Sequence, residues 1–564
     1  MASLAIVHGY LLEGSGSNLW TRCVVEALCR KGHTVQLVCQ EPHPGRYDCI
    51  TAAYRYHLDG TVETMFEREL APGYTGRCIM HKPQLGDTLP VYVWDKYEEY
   101  PNVVPMIDLS TEAIEAYIEN NVKVLRKVVV EHDVIAVHVN HAVLSTVVVQ
   151  QVSKETGVPY AIMEHGSALE YAVKKDKRMY DLATSAFSDA EVLFVHGEEM
   201  RHRIETIMPE VEDAERKFST LPLGVHTWQF EPVPRERRRE KIGRLLVSLH
   251  DKPRGRRPEQ LDQMLALAYA AKTSDALHAA FTSIQYDTKA PDTDIEDKLS
   301  QLDWEHDAVL LYVGRLISAK GVQSGLAALP EIMAADPGIR LLLVGHGPLR
   351  EPMELFVHAL QHGDRHLVEQ VVAHGRFLEG DPDGASTSRE LGKVRAYFND
   401  LEAAGKLEDY FATAKQHVRR DRVIFTGYLT HHELQHLFPC CDVGIFPSVV
   451  KEAGPLVFLE ALASGCFPLG TYFAGMKASI DGIADMLPDE VVEAMKLDPF
   501  NTTADIVTNV SRALHIGVRY KDVLSRTAQE RFDWTSVGDK LARELNVMAE
   551  RSGRRGKALR PLHG

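Results

Sequence analysis

Short aliphatic runs alternate with stretches of helical periodicity through the first part of the chain. The strand-like runs are Leu4–Val7, Val35–Val38, Val134–Val139, Tyr160–Met163 and Val192–Val195. Buried parallel strands are continuous apolar runs of this kind. Strands that alternate with helices indicate a parallel sheet covered on both faces. The pattern therefore predicts a Rossmann-like, doubly wound domain over residues 1–228.

A second series of the same type occurs late in the chain. Its strand-like runs are Val309–Val313, Leu341–Val344, Val423–Phe425 and Val443–Phe446, which predict a second doubly wound domain over residues 306–527. Residues 229–305 are charged and helical in pattern, and we predict a linker with a helical insertion there. A further helical insertion is predicted at about 351–420, a helix at 528–550, and a disordered basic tail at 551–564.

These patterns predict an α/β fold class, with two doubly wound Rossmann-like domains that face a cleft and carry helical insertions. Ligands of such sheets bind outside the carboxyl ends of the strands. Side chains that follow the predicted strands are therefore the first candidates for chemistry.

Composition narrows the function classes. The chain of 564 residues has 63 Lys and Arg against 79 Asp and Glu, a net charge of −16, which argues against a nucleic-acid partner. Eight cysteines without a C-x-x-C pair indicate reduced thiols in a cytosol. The longest apolar stretch, near 134–149, contains His138, Asn140 and His141, so no membrane span is predicted. No secretion signal is found either, and we expect a cytoplasmic protein.

One metal motif is present. His432–His436 matches H-E-x-x-H, in which two histidines one helical turn apart bind zinc and the glutamate acts as a base. The chain has 26 histidines, so a chance match on an exposed helix is the simpler interpretation. A zinc metallopeptidase stays open as an alternative function, but we expect no resident metal.

Two glutamates lie eight residues apart after the strand at Val443. Glu452 precedes a predicted helix and Glu460 lies within it, with Gly454 and Pro455 at the helix start. The first amides of that helix can hold phosphate oxygens. Eight helical steps would span about 12 Å, more than the roughly 5 to 9.5 Å of a glycosidase pair. Separate hydrogen bonds to one long ligand fit better, although the spacing alone suits two ordinary helix glutamates.

Other strand ends carry weaker candidates. Gly314, Arg315 and Lys320 follow the strand at Val309, and Arg and Lys there can bind phosphate oxygens or simply be solvated. Gly345–Pro348 forms a turn at the same edge. The loop of Gly14, Ser15 and Gly16 opens the first helix and could meet an anion, or serve only as a tight turn. His165 follows the strand at Tyr160.

In this order the motifs resemble the retaining glycosyltransferases of the GT-B fold, the "group 1" (family 4-like) nucleotide-sugar enzymes. The resemblance depends most on Glu452 and Glu460 in the frame P-S-x-x-x-E-x-G-P-L-x-x-L-E-A, with Gly-Arg-Leu…Lys-Gly upstream. Two departures stand out. His226 replaces the family's Asp after Gly-Val, and Gly465–Pro468 is one residue longer than the usual G-x-P.

The resemblance implies that residues 1–228 form the acceptor-side domain, that residues 306–527 form the nucleotide-sugar domain, and that the helix at 528–550 packs back toward the first domain. It also implies roles for particular residues. Arg315 and Lys320 would bind the donor diphosphate, Glu452 the sugar hydroxyls and Glu460 the ribose, while His165 would lie near the anomeric carbon. The catalytic residues implied are Glu452, His165, Arg315 and Lys320. The donor-binding residues implied are Gly14, Ser15, Gly16, Gly314, Arg315, Lys320, Tyr428 (beside the base, with Gly427), Glu452, Ala453, Gly454, Pro455, Leu456 and Glu460.

The predicted function is retaining transfer of a hexose from a nucleoside-diphosphate sugar to an acceptor hydroxyl, without metal or other cofactor. UDP-sugars are favoured over GDP- and ADP-sugars, and the sequence identifies neither the acceptor nor the oligomeric state. A non-catalytic protein that binds sugar nucleotides or polyanions stays open, as does a weak membrane-surface contact through the arginine-rich stretch 235–257.

Overall fold

The structure is a computed structural model, and it describes residues 3–13, 15–92, 100–380, 389–452 and 454–553. The chain divides into two compact units, one of Met1–Gly224 with Phe532–Gly564, the other of Val225–Arg531. The predicted boundary at 228 thus lies at 224. Residues 229–305, predicted as a linker with an insertion, belong to the second unit.

The first unit contains a nine-stranded sheet in the order β11-β10-β9-β8-β1-β2-β5-β3-β4, and a two-stranded sheet of β6 and β7. Its strands are β1 Ser3–Val7, β2 Thr34–Val38, β3 Ile50–Tyr56, β4 Val62–Glu67, β5 Arg77–Pro83, β6 Thr88–Val91, β7 Asn102–Pro105, β8 Val134–Asn140, β9 Tyr160–Met163, β10 Val192–Val195 and β11 Phe218–Thr220. Its helices are α1 Gly16–Arg30, α2 Thr111–Glu131, α3 Ser145–Thr156, α4 Lys177–Asp189, α5 Glu198–Ile207 and α6 Ala214–Lys217.

All pairings in the large sheet are parallel except that of β3 with β4. All five strands predicted in this unit are present. The strands that were not predicted include the β3–β4 hairpin, because β4 lies at the sheet edge and carries almost no buried side chain. An edge strand of this kind has no apolar run to reveal it.

The second unit contains a six-stranded parallel sheet in the order β14-β13-β12-β15-β16-β17. Its strands are β12 Ala308–Val313, β13 Ile339–Val344, β14 Val423–Gly427, β15 Val443–Phe446, β16 Phe467–Thr471 and β17 Lys496–Leu497. Its helices are α7 Arg238–Ser248, α8 Pro258–Ala270, α9 Ser274–Thr282, α10 Ile295–Ser300, α11 Val322–Ala327, α12 Leu329–Ala335, α13 Arg350–His362, α14 Arg365–Leu378, α15 Gly392–Ala403, α16 Leu407–His417, α17 His431–Leu437, α18 Leu456–Ala463, α19 Ala474–Asp481, α20 Asp489–Met495 and α21 Thr502–Phe532.

Both predicted insertions are helical. The segment 229–305 contributes α7 to α10, and the connection from β13 to β14 consists of α13 to α16. The last helix, α22 Trp534–Arg551, is counted with the first unit and packs on α1 there. Most of the predicted tail, residues 554–564, lies outside the described residues. Among the described helices, none has both the length and the apolar composition that crossing a bilayer requires.

Each sheet forms the centre of a buried core. In the first unit Trp20 and Leu28 of α1 and Leu541 of α22 join one apolar cluster with the central strands. In the second unit Phe458 and Leu462 of α18 are completely buried. All eight cysteines are free and buried, and burial raises the pKa of the Cys39 and Cys440 thiols to about 12. The cores hold the strands in place, so the loops at their carboxyl ends have fixed starting points.

Candidate functional site

The predicted phosphate loop follows β12 in the second unit. A 3₁₀ turn, Ser318–Lys320, ends the loop. The buried Tyr312 hydroxyl donates to the carbonyl oxygen of Arg315 at 3.1 Å and to that of Lys320 at 3.5 Å. The Arg315 side chain is exposed, and it makes no hydrogen bond or ion pair within the described part of the chain. Its guanidinium is thus available to an external anion.

Lys320 and Glu452 form an ion pair. The distance from Lys320 Nζ to Glu452 Oε2 is 2.5 Å, and the two side chains are 30% and 22% exposed. The pair joins the loop after β12 to the loop after β15. Two backbone contacts hold this juxtaposition, because Val449 N donates to Ala319 O at 2.8 Å and Gly475 N donates to Glu452 O at 2.9 Å. The structure therefore brings together two residues that the sequence separates by 132 positions.

Two glycines permit the loop after β12 to approach the loops after β15 and β13 closely. Gly321 has φ +74°, and a Cβ there would lie 1.8 Å from the Pro447 carbonyl oxygen. Gly345 has φ +147°, and its Cβ would lie 1.9 Å from the oxygen of Gly314. A side chain at either position would force the loops apart. Gly314 is therefore part of the loop packing, with its amide bonded to Val344 O at 3.0 Å.

Helix α18 begins at Leu456, one residue after the predicted start, with Pro455 as its N-cap residue. No side chain caps this end, so its first amides remain available to an acceptor from outside the helix. Gly454 is partly exposed and Pro455 is buried. Ala453, predicted among the donor-binding residues, lies outside the described residues. The longer turn at Gly465 closes the far end of α18, where Cys466 N donates to Ala461 O at 3.0 Å.

Glu460 lies on the buried side of α18 and is 4% exposed. Its Oε1 lies 2.6 Å from Nδ1 of His431, a histidine that is not among the predicted site residues. Its Oε2 is buried and has no hydrogen-bond partner among the described residues. A buried carboxylate oxygen without a partner is costly and calls for a donor.

Tyr428 follows β14 and is partly exposed. Its amide donates to Ala290 O at 3.1 Å, and its ring meets that of His346 edge to face with centroids 5.2 Å apart. Burial, followed by the positive charges of Arg315 and Lys289, lowers the pKa of His346. The predicted base contact Tyr428 thus lies beside a neutral imidazole at the strand ends.

Among the predicted site residues of the first unit that the structure describes, Ser15 and Gly16 follow β1 and His165 follows β9. Ser15 caps α1 by accepting from Asn18 N at 3.3 Å, and Gly16 is exposed with open space where a Cβ would stand. Gly14 lies outside the described residues. His165 is partly exposed, and its Nε2 donates to Asn140 Oδ1 at 3.0 Å. Ser15 is thus already used in capping the helix.

His165 belongs to a cluster of five imidazoles, which we call the histidine cluster. Its members are His8, His138, His141, His165 and His196. Ring centroids lie 5.7 Å apart for His8 and His141, 5.2 Å for His141 and His165, and 5.5 Å for His165 and His196. Burial lowers the pKa of His8, His138 and His196 to about 4, and it holds the pKa values of His141 and His165 well below the ordinary value of histidine.

Two further polar groups belong to this edge of the sheet. Asn140 bonds His165 and also donates to Thr21 Oγ1 at 2.9 Å. Glu164 is buried and accepts from Gly166 N at 2.5 Å, and burial raises the pKa of its carboxyl to about 7. Among these residues, the sequence predicted a site role for His165 alone. The signal for the others was the same, since each lies within or directly after a predicted strand.

The zinc motif takes a structural role. Glu433 closes a capping box with Thr430, whose amide donates to Glu433 Oε2 at 2.8 Å, and it pairs with Lys252. His432 and His436 meet edge to face with centroids 6.3 Å apart. Within the described ranges, no group of three or more His, Cys, Asp or Glu side chains is arranged to hold a metal ion. Glu433 is therefore unavailable as the base of a metallopeptidase.

The arginine-rich stretch 235–257 is largely paired inside the second unit. Arg238 is buried and pairs with Asp442 at 2.7 Å, Arg235 pairs with the same carboxylate at 2.8 Å, and Arg256 is buried against Glu354. Other pairs are Arg237 and Arg244 with Glu240, and Arg254 with Glu296. Arg238 and Arg256 thus belong to a buried ion-pair network, whereas Arg237, Arg239, Arg244 and Arg257 are exposed, and a membrane-surface contact of this stretch stays a prediction.

Comparisons with known proteins agree with this geometry. Residues 388–497 match the sequence model of the family described as Glycosyl transferases group 1. The matched segment contains Tyr428, Glu452 and Glu460. The resemblance predicted from the motifs is thereby confirmed. No sequence among the curated proteins matches the chain.

Solved structures confirm the fold class. Sucrose-phosphate synthase from Thermosynechococcus elongatus is similar with a TM-score of 0.50 and 15% identity, covering 98% of this chain and 100% of that one. The catalytic domain of starch synthase IV from Arabidopsis thaliana has a TM-score of 0.50 and 12% identity, covering 98% and 100%. The chain therefore has the GT-B glycosyltransferase fold.

Proposed function

We propose that this protein is a retaining glycosyltransferase that moves a hexose from a nucleoside-diphosphate sugar to an acceptor hydroxyl. The Lys320–Glu452 ion pair beside the uncapped start of α18 is the observation that carries the proposal. A cation, a carboxylate and free helix amides together suit a donor that joins an anionic diphosphate to a sugar rich in hydroxyls.

The chemistry follows from where charge develops. As the bond from the anomeric carbon to the diphosphate oxygen breaks, negative charge accumulates on the leaving phosphate. Arg315, Lys320 and the first amides of α18 stabilise that charge without needing to reorganise. Glu452 accepts hydrogen bonds from hydroxyls of the sugar, and Lys320 balances its negative charge. The Tyr428 ring stacks on the base, and Glu460 accepts hydrogen bonds from ribose hydroxyls.

Retention is proposed to follow from attack on the same face of the sugar, with the leaving phosphate taking the proton of the acceptor hydroxyl. The donor's C–O bond breaks, the acceptor oxygen bonds the anomeric carbon, and the proton leaves with the nucleoside diphosphate. No enzyme nucleophile is required. His165 is proposed to contact the reacting sugar, and the loop of residues 14–16 to contact the diphosphate.

No metal ion is needed in this scheme, because the side chains and the helix amides supply the positive potential. UDP-sugars remain the predicted donors over GDP- and ADP-sugars, and a cytoplasmic location remains a prediction. The metallopeptidase alternative is weakened by the capping role of Glu433. A protein that only binds sugar nucleotides would share the donor contacts, and turnover separates the two.

The test begins with a thermal-shift screen of UDP, GDP and ADP and their glucose conjugates, because a ligand of the folded state raises its melting temperature. The nucleotide that binds is then supplied as its sugar conjugate in the presence of EDTA with a panel of hydroxyl acceptors. Proton NMR of the product gives the anomeric configuration. Binding without turnover on any acceptor would favour the non-catalytic alternative, and an inverted anomer would refute retention.

A further inference from the structure

The contact between His431 and Glu460 is not accounted for by the roles above. His431 is the first residue of α17, and its side chain is 56% exposed. Its Nδ1 lies 2.6 Å from Oε1 of Glu460, whose side chain is only 6% exposed. A partly exposed imidazole thus bonds a nearly buried carboxylate at the edge of the candidate nucleotide site.

The two oxygens of Glu460 are in different situations. Oε1 has His431 as a partner, whereas Oε2 is buried and has none among the described residues. An ionised carboxylate accepts hydrogen bonds at both oxygens, and a buried oxygen without a donor costs free energy. A ligand hydroxyl that donates to Oε2 therefore gains more binding free energy than one that donates to Oε1.

The position of His431 is itself fixed. Thr430 is the N-cap of α17, its side chain accepts from His432 N at 3.3 Å, and Glu433 returns a bond to the Thr430 amide at 2.8 Å. This capping box sets the first turn of the helix. The His431 imidazole therefore projects from a backbone whose position is fixed by the hydrogen bonds of Thr430 with His432 and Glu433.

We propose that His431 is a positioning residue that fixes the Glu460 carboxylate through Oε1, so that Oε2 faces a ribose hydroxyl of the donor. The inference rests on the proposed function. Without His431 the carboxylate can rotate about its last side-chain bond, and the ligand must then pay for ordering it. The bond should therefore sharpen discrimination between ribonucleotides and deoxyribonucleotides, which a purely structural contact would not do.

The experiment is calorimetric titration of the full chain with UDP, 2′-deoxy-UDP and 3′-deoxy-UDP. If UDP is not the nucleotide found in the screen, the matching GDP or ADP series replaces it. The wild-type chain should bind the ribonucleotide more tightly than at least one deoxy analogue. His431→Ala should weaken ribonucleotide binding roughly tenfold, which is the loss of one hydrogen bond to a charged group. Its affinity for that deoxy analogue should change little.

His432→Ala is the matched control, because His432 is the next residue of the same turn and its side chain is 66% exposed. It should leave both affinities unchanged. His431→Asn, which retains a donor, should recover part of the ribonucleotide affinity. The double variant His431→Ala/Glu460→Ala should bind no more weakly than Glu460→Ala, since both changes remove the same contact. In turnover, His431→Ala should raise KM more than it lowers kcat.

The outcomes separate the two levels of the argument. Wild-type chain that binds none of the nucleoside diphosphates would refute the proposed function itself. Wild-type binding with a His431→Ala variant that keeps the full ribose preference would overturn the positioning role alone. Tighter ribonucleotide binding by His431→Ala would also overturn it, because His431 would then be covering Glu460. Additive losses in the double variant would show that His431 acts on a different group.

Discussion

At the carboxyl ends of its parallel strands, the first unit carries buried imidazoles that are neutral at pH 7, whereas the second carries partly exposed charges. The histidine cluster has His8, His138 and His141 almost wholly buried, while Lys320, Glu452 and Arg315 are partly or fully open to solvent. The same strand–loop architecture thus supports two different electrostatic environments. The first environment suits uncharged polar groups, and the second suits an anion.

The largest expected effect tests the charged edge, by which we mean Arg315, Lys320, Glu452 and Glu460 of the second unit. Lys320→Ala should lower turnover by roughly 10²- to 10³-fold, because it removes one prepositioned donor from the leaving phosphate and leaves Glu452 without its partner. Steady-state assays with the donor found in the screen measure this loss. Lys320→Arg, which keeps the charge, is the matched control and should retain more activity. Near-normal transfer by Lys320→Ala would mean that the charged edge is not the diphosphate site.

The next effect tests the neutral edge, by which we mean the histidine cluster of the first unit. The measured quantity is the stability of the fold as a function of pH. Burial holds the pKa of His8 and His138 at about 4, against about 6.5 in the unfolded chain. The unfolded state therefore binds more protons below pH 6.5, and stability falls as the pH drops from 6.5 to 4. The loss is about 3 kcal/mol for each fully buried histidine by pH 4.

Glu164 works in the opposite direction. Its raised pKa of about 7 means that the folded state holds a proton that the unfolded state releases above about pH 4.5. Glu164 thus contributes stability at low pH that is lost as the pH rises through 7. This contribution offsets the pH dependence of stability that one of the histidines causes. Urea unfolding at pH 7 and pH 5, followed by tryptophan fluorescence, should give a lower midpoint at pH 5.

A matched variant sharpens this test. His138 stacks on Trp20 with centroids 5.3 Å apart, and His138→Gln removes one titrating group from the cluster. The variant should be less stable at pH 7, yet its stability should depend less steeply on pH. An unfolding midpoint that is equal at pH 7 and pH 5 in the wild-type chain would contradict the account of the neutral edge.

The two edges also differ in how well the sequence predicts them. Glu452, Glu460, Arg315 and Lys320 occur in a spaced motif, so the charged edge could be predicted residue by residue. The Lys320–Glu452 pairing could not, because it depends on how two loops 132 residues apart pack. The contact of His431 with Glu460 could not be predicted for the same reason, because it depends on how α17 and α18 pack.

The neutral edge was harder to predict because its members come from four separate strands. Only the strand order β10-β9-β8-β1 brings His196, His165, His138 and His8 together. Likewise, the arginines at 235 and 238 read as a solvated basic face until Asp442, some 200 residues later, is placed against them. Sequence spacing reveals contacts within an element, whereas pairing across a sheet requires the topology.

A smaller effect separates the two carboxylates of the charged edge. Glu460→Ala should weaken binding of the free nucleoside diphosphate roughly tenfold, because it removes a charged acceptor of the ribose. Glu452→Ala should leave that affinity largely intact and reduce sugar transfer, since the proposed partner of Glu452 is the sugar. Calorimetric titration and initial rates on both variants measure the two losses. Equal losses of free nucleotide affinity would contradict the assignment.

The smallest expected effect concerns the histidines of the zinc motif, which belong to neither edge. Burial, followed by the positive charge of Lys241, lowers the pKa of His436 to about 4, and Glu433 is engaged in the cap of α17. His432→Ala and His436→Ala should therefore change turnover by less than about twofold, and excess EDTA should not abolish it. A true zinc site would bind about one metal per chain and lose it with either substitution. Elemental analysis of the purified protein, alongside chelator-treated assays, decides the point. Stoichiometric zinc together with activity that EDTA abolishes would overturn both the structural role of this helix and the metal-free stabilisation of the leaving phosphate.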